Sequence, residues 1–263
     1  MSNKEKFNNL KNKDFSLILS GGGALGYYYL GVFKYLEEHN LYPKEIIGTS
    51  VGSILGALWA LGHTSKEIMG IAELSFLECG SSSEKFSKRF RSHYKKFLDN
   101  RSFDDLKIEF SAISTDIETS EVKIFNKQSG INLENAVFAA ASLPGKYDPI
   151  EFEGDHFTDG YFVSNFPVEF ASSKNILGID VLSNIELGKF KWTKSLILAK
   201  KQDMFNMTFR AIFKLIQKES IRKAKESNCI YIAPKGKTSQ IFNYTQIRIR
   251  FDQGYQEMKE MFD

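Results

Sequence analysis

The fold is decided by residues 45–61, which read EIIGTSVGSILGALWAL. Glu45-Ile46-Ile47 predicts a short buried strand, and the small and apolar residues 53–61 predict a packed helix. Between them lies Gly48-Thr49-Ser50-Val51-Gly52, a G-x-S-x-G sequence at a strand-to-helix turn. This context is typical of a nucleophile elbow, in which flanking glycines allow a sharp bend that exposes the serine hydroxyl. Ser50 is therefore a candidate nucleophile, although the sequence alone also fits an ordinary strand–helix connection.

A second glycine-rich turn precedes this stretch. Residues 15–20 (FSLILS) predict a short apolar strand, and Gly21-Gly22-Gly23-Ala24-Leu25-Gly26 follows it directly. Apolar residues at helical spacing then predict a helix over 26–39. Bare backbone N–H groups at the start of a helix favour negative charge. The turn therefore fits either a phosphate site or an oxyanion hole for acyl transfer.

The same glycines also match the G-x-G-x-x-G pattern of dinucleotide-binding proteins. Such a site needs an acidic residue about 20 residues on, at the end of the second strand. That strand ends in Gly48-Thr49-Ser50, and the nearby carboxylate, Glu45, lies at its start. The oxyanion hypothesis is favoured, because the second strand ends in a candidate nucleophile.

A serine nucleophile needs a base, and the chain has four histidines. The surroundings of His39 and His93 indicate solvated side chains, and His63 follows the elbow helix near its C-terminus. His156 lies in a turn between two extended runs and leaves a histidine-containing triad open as an alternative. Three residues further on, Asp159-Gly160 ends an extended segment from which a carboxylate reaches across a cleft, although an Asp-Gly pair is more often a surface turn.

Taken together, five segments resemble the patatin-like phospholipase family. They are LILSGGGALG (17–26), GTSVG (48–52), STDIET (114–119), ASLPG (141–145) and DGYFVSNFP (159–167). Their order and separations fit the family over most of the chain. The resemblance implies a three-layer α/β/α fold with a mainly parallel central sheet, and one acyl hydrolase domain over residues 1–263.

The resemblance also implies a Ser–Asp dyad that needs no histidine. Ser50 is then the nucleophile and Asp159 the base, and Gly48, Gly52 and Gly160 are the glycines of the two motifs. The expected oxyanion donors are N–H groups of the glycine turn (Gly21, Gly22, Gly23 and Ala24) and of Val51, the residue after the nucleophile.

The chain departs from the family pattern at two positions. Leu25 stands where many members have Arg or Lys, and Tyr161 stands where Gly or Ala is usual after the Asp-Gly pair. Neither change removes a reacting atom, so we expect them to affect substrate preference more than catalysis.

The implied activity is that of a phospholipase A or lysophospholipase on phospholipids or other acyl esters. The resemblance implies no cofactor and no calcium. A thioesterase or acyltransferase with the same dyad remains an alternative, as does a catalytically weak lipid-binding regulatory protein.

Composition agrees with a cytoplasmic protein that makes peripheral contact with membranes. The chain has 263 residues and a net charge of +3, which is too small to indicate nucleic acid as a partner. The N-terminus is polar, and no run approaches the ~20 apolar residues of a membrane span. The pattern leaves the oligomeric state open.

Alternating apolar runs and helical patterns predict an α/β protein. Strands are expected at 15–20, 45–49, 108–115, 121–126, 175–182 and 229–233, and helices at 26–39, 51–62, 65–77, 131–142, 200–226 and near the C-terminus.

Residues 81–101 predict an amphipathic helix with a basic face. It is interpreted first as a surface helix on the core, and alternatively as a lid over the acyl pocket or a contact for anionic headgroups. Its cations and aromatics are Lys85, Phe86, Lys88, Arg89, Phe90, Arg91, Tyr94, Lys95, Lys96 and Phe97.

Overall fold

The structure is a computed structural model, and one mixed sheet lies at its centre. The description covers residues 3–11, 13–79, 83–186, 197–236, 241 and 243–263. Within these residues the strands are β1 (Phe15–Leu19), β2 (Glu45–Thr49), β3 (Glu109–Asp116), β4 (Val122–Phe125), β5 (Ile150–Phe152), β6 (Asp155–Asp159), β7 (Asn175–Ile179) and β8 (Ile230–Ile232).

The strands are ordered β5-β6-β3-β2-β1-β7-β8, and β4 pairs with β3. The five strands from β3 to β8 along this path are parallel, whereas β4, β5 and β6 add antiparallel pairs at one side. All residues of β1 and β2 are buried, as expected for central parallel strands that are covered on both faces.

Helices cover both faces of the sheet, which confirms the predicted α/β class. Within the described residues they are α1 (Asn3–Leu10), α2 (Tyr28–Glu38), α3 (Val51–Ala60), α4 (Ser65–Cys79), α5 (Ser83–Leu98), α6 (Leu133–Ala139), α7 (Tyr161–Ser164), α8 (Ile197–Glu226) and α9 (Ile247–Phe262).

Alternating side chains of the central strands enter two separate apolar clusters. Leu17 and Leu19 of β1 belong to the larger cluster, together with residues of α2, α3 and α9. Ile18 belongs to a smaller cluster on the opposite face, with Ile47, Ile113 and Ala224 of α8. Because successive side chains of a strand point to opposite faces, Leu17 and Leu19 contact one helical layer and Ile18 contacts the other.

Two strands at the antiparallel side, β5 and β6, correspond to the extended runs predicted on either side of His156, although neither is in the list of predicted strands. His156 itself lies in β6, paired with Glu151, and not in the turn as predicted. The two strands form a hairpin in which Ile150 pairs with Phe157 and Phe152 pairs with Asp155. Both strands are short, and their exposed positions carry Glu151, Asp155 and His156, so the apolar signal of a buried strand is weak.

The predicted basic helix over 81–101 is α5, and it packs on the core. Phe90, Tyr94 and Leu98 are buried in the larger cluster, with Phe97 packed against it. The predictions for Ser81, Lys85, Phe86 and Lys88 fall outside the described residues and side chains. α5 therefore docks through its aromatic face.

In the part of the chain that the structure describes, every helix is too short or too polar to cross a membrane.

Candidate active site

Ser50 lies at a strained backbone position between β2 and α3. Its φ of 55° and ψ of −124° are unusual for a residue with a side chain and fit a nucleophile elbow. The flanking residues must be glycine, because the backbone at both positions packs too closely against other backbone atoms to admit a side chain. A Cβ at Gly52 would lie 2.5 Å from the carbonyl oxygen of Leu19, and one at Gly48 would lie 2.6 Å from the backbone of Gly52.

The register of β3 explains how Asp159 reaches Ser50 from 109 residues away. β4 pairs with residues 112–115 of β3, so β2 and β6 share the opposite edge of that strand. On this edge β2 ends with Thr49 opposite Ile113, and β6 ends with Asp159 opposite Ser114. Two strands running in opposite directions therefore stop against neighbouring residues of β3, and the side chains that follow meet there.

The turn after α6 fixes the backbone on both sides of this junction. The N–H of Ser50 donates to the carbonyl of Ala140 at 2.9 Å, and the N–H of Asp159 donates to the carbonyl of Ser142 at 3.2 Å. The Thr158 hydroxyl also donates to Ser142 at 2.5 Å. This turn contains the ASLPG segment, and its role is to hold the elbow and the end of β6 in one arrangement.

The Asp159 side chain is fully buried, and burial is the main influence on its acidity. Desolvation raises the pKa of this carboxyl to about 7, against the opposing effects of the Tyr161 N–H and the Ser50 hydroxyl. Oδ1 accepts from the Tyr161 N–H at 2.9 Å. Oδ2 has no hydrogen-bond partner of normal geometry among the described residues, so the hydroxyl and the carboxylate are neighbours without a well-formed bond.

The glycine turn lies directly against Ser50. A Cβ at Gly21 would be 3.0 Å from the Cβ of Ser50, so only glycine allows this approach. Gly23 has a φ of +55° and begins a short 3-10 turn that leads into α2. The N-termini of this turn and of α3 therefore face one region around the serine, as an anion site requires.

Two of the five expected oxyanion donors are already engaged, which corrects that part of the prediction. The Gly21 N–H donates to the carbonyl and side-chain oxygens of Asn165, at 3.3 and 3.1 Å. The Ala24 N–H donates to the carbonyl of Ile241 at 2.8 Å. The N–H groups of Gly22, Gly23 and Val51 have no partner within the described part of the chain.

Ser50 and Asp159 open into a largely apolar cleft of about 950 Å³, counting its solvent-open mouth. Its apolar wall combines residues from distant elements. They include Ile54 on α3, Phe90 on α5, Phe138 on α6, Leu143 after α6, and Phe213 on α8. The cleft therefore presents an apolar channel to the hydroxyl and the carboxylate.

No histidine lines this cleft within the described residues. His156 is exposed, and its Nδ1 lies 3.0 Å from Oε1 of Glu118. His93, expected to be solvated, is instead buried, with Nε2 3.0 Å from the carbonyl oxygen of Ile71. The residues around His93 are largely basic, so the sequence pattern did not indicate that His93 lies on the buried face of α5. The alternative of a triad through His156 is therefore not supported.

The cleft also contains polar side chains that sequence reasoning did not assign to the site. Tyr161, Arg91 and Lys146 line it, and Asn165 orients the glycine turn. The position of Tyr161 two residues after Asp159 is a usable sequence signal for its location. Arg91 belongs to the basic helix that the sequence offers as an alternative lid over the acyl pocket. Lys146 carries no such signal, because only the packing of the turn after α6 brings it to the cleft.

Within the described ranges, no three His, Cys, Asp or Glu side chains cluster in a way that could hold a metal ion.

Comparison with protein families gives a match over residues 17–172 to the model described as patatin-like phospholipase. This range contains all five sequence segments, together with Ser50 and Asp159.

Similar proteins cover the chain with low identity. Patatin-like phospholipase domain-containing protein 6 of Mus musculus is 26% identical over an alignment that covers 96% of this chain and 21% of that protein. Lysophospholipase NTE1 of Lodderomyces elongisporus is 30% identical, with 65% of this chain and 13% of that protein covered. The chain therefore spans about a fifth or less of these relatives.

The fold is similar to that of a solved bacterial protein. The crystal structure of VipD from Legionella pneumophila matches with a TM-score of 0.51 at 14% identity, over 94% of this chain and 67% of that one. At this identity, the similarity concerns the fold.

Proposed function

The chain belongs to the patatin-like phospholipase family, and from this premise we propose that it hydrolyses fatty-acyl esters of phospholipids or lysophospholipids through Ser50 and Asp159. One observation carries the proposal. A serine at a strained elbow adjoins a fully buried carboxylate with a raised pKa, and both open into an apolar cleft. Lipid ester hydrolysis is also the activity that the names of the relatives indicate.

In the proposed first step, Oγ of Ser50 attacks the ester carbonyl carbon while Asp159 accepts the hydroxyl proton. The tetrahedral intermediate collapses with loss of the alcohol, which takes the proton from Asp159, and an acyl-enzyme remains. Water then attacks the acyl carbon, again losing its proton to Asp159, and the fatty acid leaves as Ser50 recovers a proton. A carboxyl with a pKa near 7 suits these transfers better than an ordinary aspartate, because its basicity is closer to the working pH.

Gly22, Gly23 and Val51 are the proposed oxyanion donors. Their N–H groups have no partner in the described part of the chain, and all three residues line the cleft beside Ser50. Each lies at a helical N-terminus, where the local dipole favours negative charge. Loss of a single oxyanion donor typically costs about 3–4 kcal/mol of transition-state stabilisation.

Lipid mass spectrometry tests the proposal. Wild type and Ser50→Ala are incubated with mixed phospholipids and lysophospholipids, and the products are identified. We expect wild type to release fatty acids and the corresponding deacylated lipids, and Ser50→Ala to release none. If the acyl group is transferred to another alcohol and no free fatty acid appears, the proposed reaction would be acyl transfer and not hydrolysis. Equal product release by folded Ser50→Ala would reject Ser50 as the nucleophile.

A further inference from the structure

The peptide between Gly21 and Gly22 carries a proposed oxyanion donor and has no side chain to hold it. Its N–H is that of Gly22, and its C=O is that of Gly21. Turning a peptide unit over changes ψ of the residue before it and φ of the residue after it, and glycine at both positions removes the Cβ atoms that restrict these angles. A peptide turned over would direct the Gly21 oxygen, with its partial negative charge, at the forming oxyanion. The orientation of this peptide therefore decides whether the turn assists or opposes the reaction.

The Ser20 hydroxyl fixes the carbonyl end of this peptide. Its Oγ donates to the Gly21 carbonyl oxygen at 3.0 Å, and that oxygen has no other donor in the described part of the chain. The C=O and N–H of a trans peptide point in opposite directions, so the Gly22 N–H points away from this hydrogen bond. Gly22 lines the cleft, whereas Ser20 is fully buried and does not line it. The hydrogen bond from Ser20 therefore directs the Gly22 N–H toward the cleft.

Two neighbouring segments hold the Ser20 hydroxyl in turn. The N–H of Val181, which follows β7, donates to Ser20 Oγ at 3.1 Å. The Tyr29 hydroxyl of α2 donates to the Ser20 carbonyl at 2.5 Å, and its oxygen lies 3.1 Å from Ser20 Oγ. Ser20 and Tyr29 are both fully buried, so water does not compete for these hydrogen bonds. These contacts hold Oγ beside the Gly21 carbonyl.

Asp180 fixes the turn that supplies the Val181 N–H. Its side chain is fully buried. Oδ1 accepts from the Leu182 N–H at 3.0 Å, and Oδ2 accepts from the Tyr231 hydroxyl at 2.8 Å. Val181 also packs on the glycine turn, since a Cβ at Gly22 would lie 2.4 Å from its Cγ2. The peptide that carries the Gly22 N–H is therefore supported by a buried polar network that includes neither reacting side chain.

We propose that Ser20 is a positioning residue of the oxyanion hole, whose hydroxyl keeps the Gly22 N–H directed at the substrate oxygen. The inference rests on the proposed function, because it takes Gly22 as an oxyanion donor. Ser20 acts through Gly22 and touches no reacting atom itself. Its effect should appear in the transition state, where negative charge develops on the substrate oxygen, and not in the binding of the neutral ester.

The test compares two inhibitors that share one long alkyl chain, a trifluoromethyl ketone and the corresponding methyl ketone. Ser50 Oγ adds to the carbonyl carbon of the trifluoromethyl ketone, the hydroxyl proton passes to Asp159, and the ketone oxygen becomes an anion in the oxyanion hole. The methyl ketone is a far poorer electrophile and binds with a neutral carbonyl. The ratio of the two inhibition constants therefore reports on the oxyanion hole separately from the acyl cleft.

We expect Ser20→Ala to reduce the preference for the trifluoromethyl ketone by about 10-fold or more, as loss of a hydrogen bond that orients an oxyanion donor predicts. For a short neutral ester, kcat should fall by a similar factor while KM changes little. Ser20→Cys fills the same space with a weak donor and should change the ratio in the same direction. This second variant supplies the comparison if Ser20→Ala is too unstable to assay.

Ser16→Ala is the matched control, because Ser16 is also a fully buried serine and lies at the other end of β1. Its hydroxyl donates to Oε1 of Glu45 at 2.5 Å. Loss of this buried hydrogen bond should lower the unfolding free energy of the protein but leave the ratio of inhibition constants unchanged. An equal fall of the ratio in Ser16→Ala would assign the effect to a general loosening of the fold and overturn the proposal.

The remaining outcomes separate this inference from the proposed function. If wild type hydrolyses the ester and prefers the trifluoromethyl ketone, while folded Ser20→Ala and Ser20→Cys keep the wild-type ratio, the inference fails alone. A rise in KM with an unchanged kcat would also overturn it, because Ser20 would then act on substrate binding. If wild type neither hydrolyses the ester nor reacts with the trifluoromethyl ketone, the proposed function itself fails, and the inference fails with it.

Discussion

Asp159, the proposed base, lies at a position that lowers the stability of the fold. Its side chain is completely buried, its pKa is raised to about 7, and one of its oxygens lacks a partner among the described residues. A carboxyl that binds protons more tightly in the folded chain makes folding less favourable as the pH rises from about 4 to about 7. Above pH 7 the folded protein carries the full cost of a buried charge.

Asp159→Asn should therefore stabilise the protein while abolishing ester turnover. Asparagine keeps an oxygen that accepts from the Tyr161 N–H but has no charge to bury. We expect a gain in unfolding free energy of roughly 2–4 kcal/mol at pH 8, since each pKa unit corresponds to about 1.4 kcal/mol, and a gain that shrinks toward pH 4. Urea unfolding at several pH values measures it. A variant less stable than wild type at pH 8 would contradict this account of the carboxylate.

The same raised pKa predicts the pH dependence of the reaction. Proton acceptance requires ionised Asp159, so kcat/KM for a short neutral ester should rise with pH through about 7 and level off above it. Initial rates from pH 5 to 9, corrected with Ser50→Ala as the blank, give the profile. A flat profile across this range would show that the base titrates elsewhere or that no base is used.

Among the elements, the crossing of α2 and α9 leaves no room for a side chain at two positions. A Cβ at Gly31 of α2 would lie 2.1 Å from the carbonyl oxygen of Phe251, and one at Gly254 of α9 would lie 2.2 Å from that of Tyr28. The two backbones touch directly, because both contact positions are glycine. Displacing α9 would disturb the helix that begins at the glycine turn.

Gly31→Ala should consequently destabilise the fold, whereas Gly70→Ala should stabilise it. Both glycines lie inside helices, but a Cβ at Gly70 of α4 meets no atom within 4 Å. We expect a loss of about 3 kcal/mol for Gly31→Ala, since backbone must move to admit the methyl group. Gly70→Ala should gain about 0.5–1 kcal/mol from helix propensity. Chemical denaturation measures the unfolding free energy of both variants. Similar changes in unfolding free energy at the two sites would contradict the close backbone contact between α2 and α9.

The elements also show which features local sequence can predict. β1 and β2 are short strands centred on apolar residues and fully buried, so their positions follow from the local sequence. β6 has a single apolar residue, Phe157, among its five positions, and its place depends on pairing with β3. Local sequence contains no information on that pairing, so the approach of Asp159 to Ser50 was expected only from the family resemblance.

The expected oxyanion donors show the same limit of local sequence. Five N–H groups were expected from the glycine turn and from the residue after Ser50. Two of them instead bind Asn165 and Ile241, which are 144 and 217 residues distant in the chain. Only the packed structure distinguishes an engaged N–H group from an available one.

On the scale of the whole molecule, the cleft depends on helices that are far apart in the chain. α3, α5, α6 and α8 each contribute an apolar side chain to its wall. The space that we propose for the acyl chain therefore comes from the assembled fold, and its size should set the acyl-chain preference.

Filling this space should shift the preference toward short acyl chains. Leu143 lines the cleft and is only partly buried, so Leu143→Trp adds bulk there without rebuilding the core. We expect kcat/KM for a dodecanoyl ester to fall by about 10-fold relative to that for an acetyl ester. Leu74→Trp, at an exposed position of α4 outside the cleft, is the control and should leave the relative rates unchanged. An unchanged ratio in Leu143→Trp would mean that the acyl chain lies elsewhere.

The most direct test of the central claim is mass spectrometry of the protein after reaction with a fluorophosphonate. Wild type should gain one adduct, located by peptide mapping at Ser50, while Ser50→Ala should gain none and Asp159→Asn should react far more slowly. Hydrolysis by wild type without modification of Ser50, or an adduct at another residue, would contradict the claim that this serine and the buried carboxylate form the reacting pair.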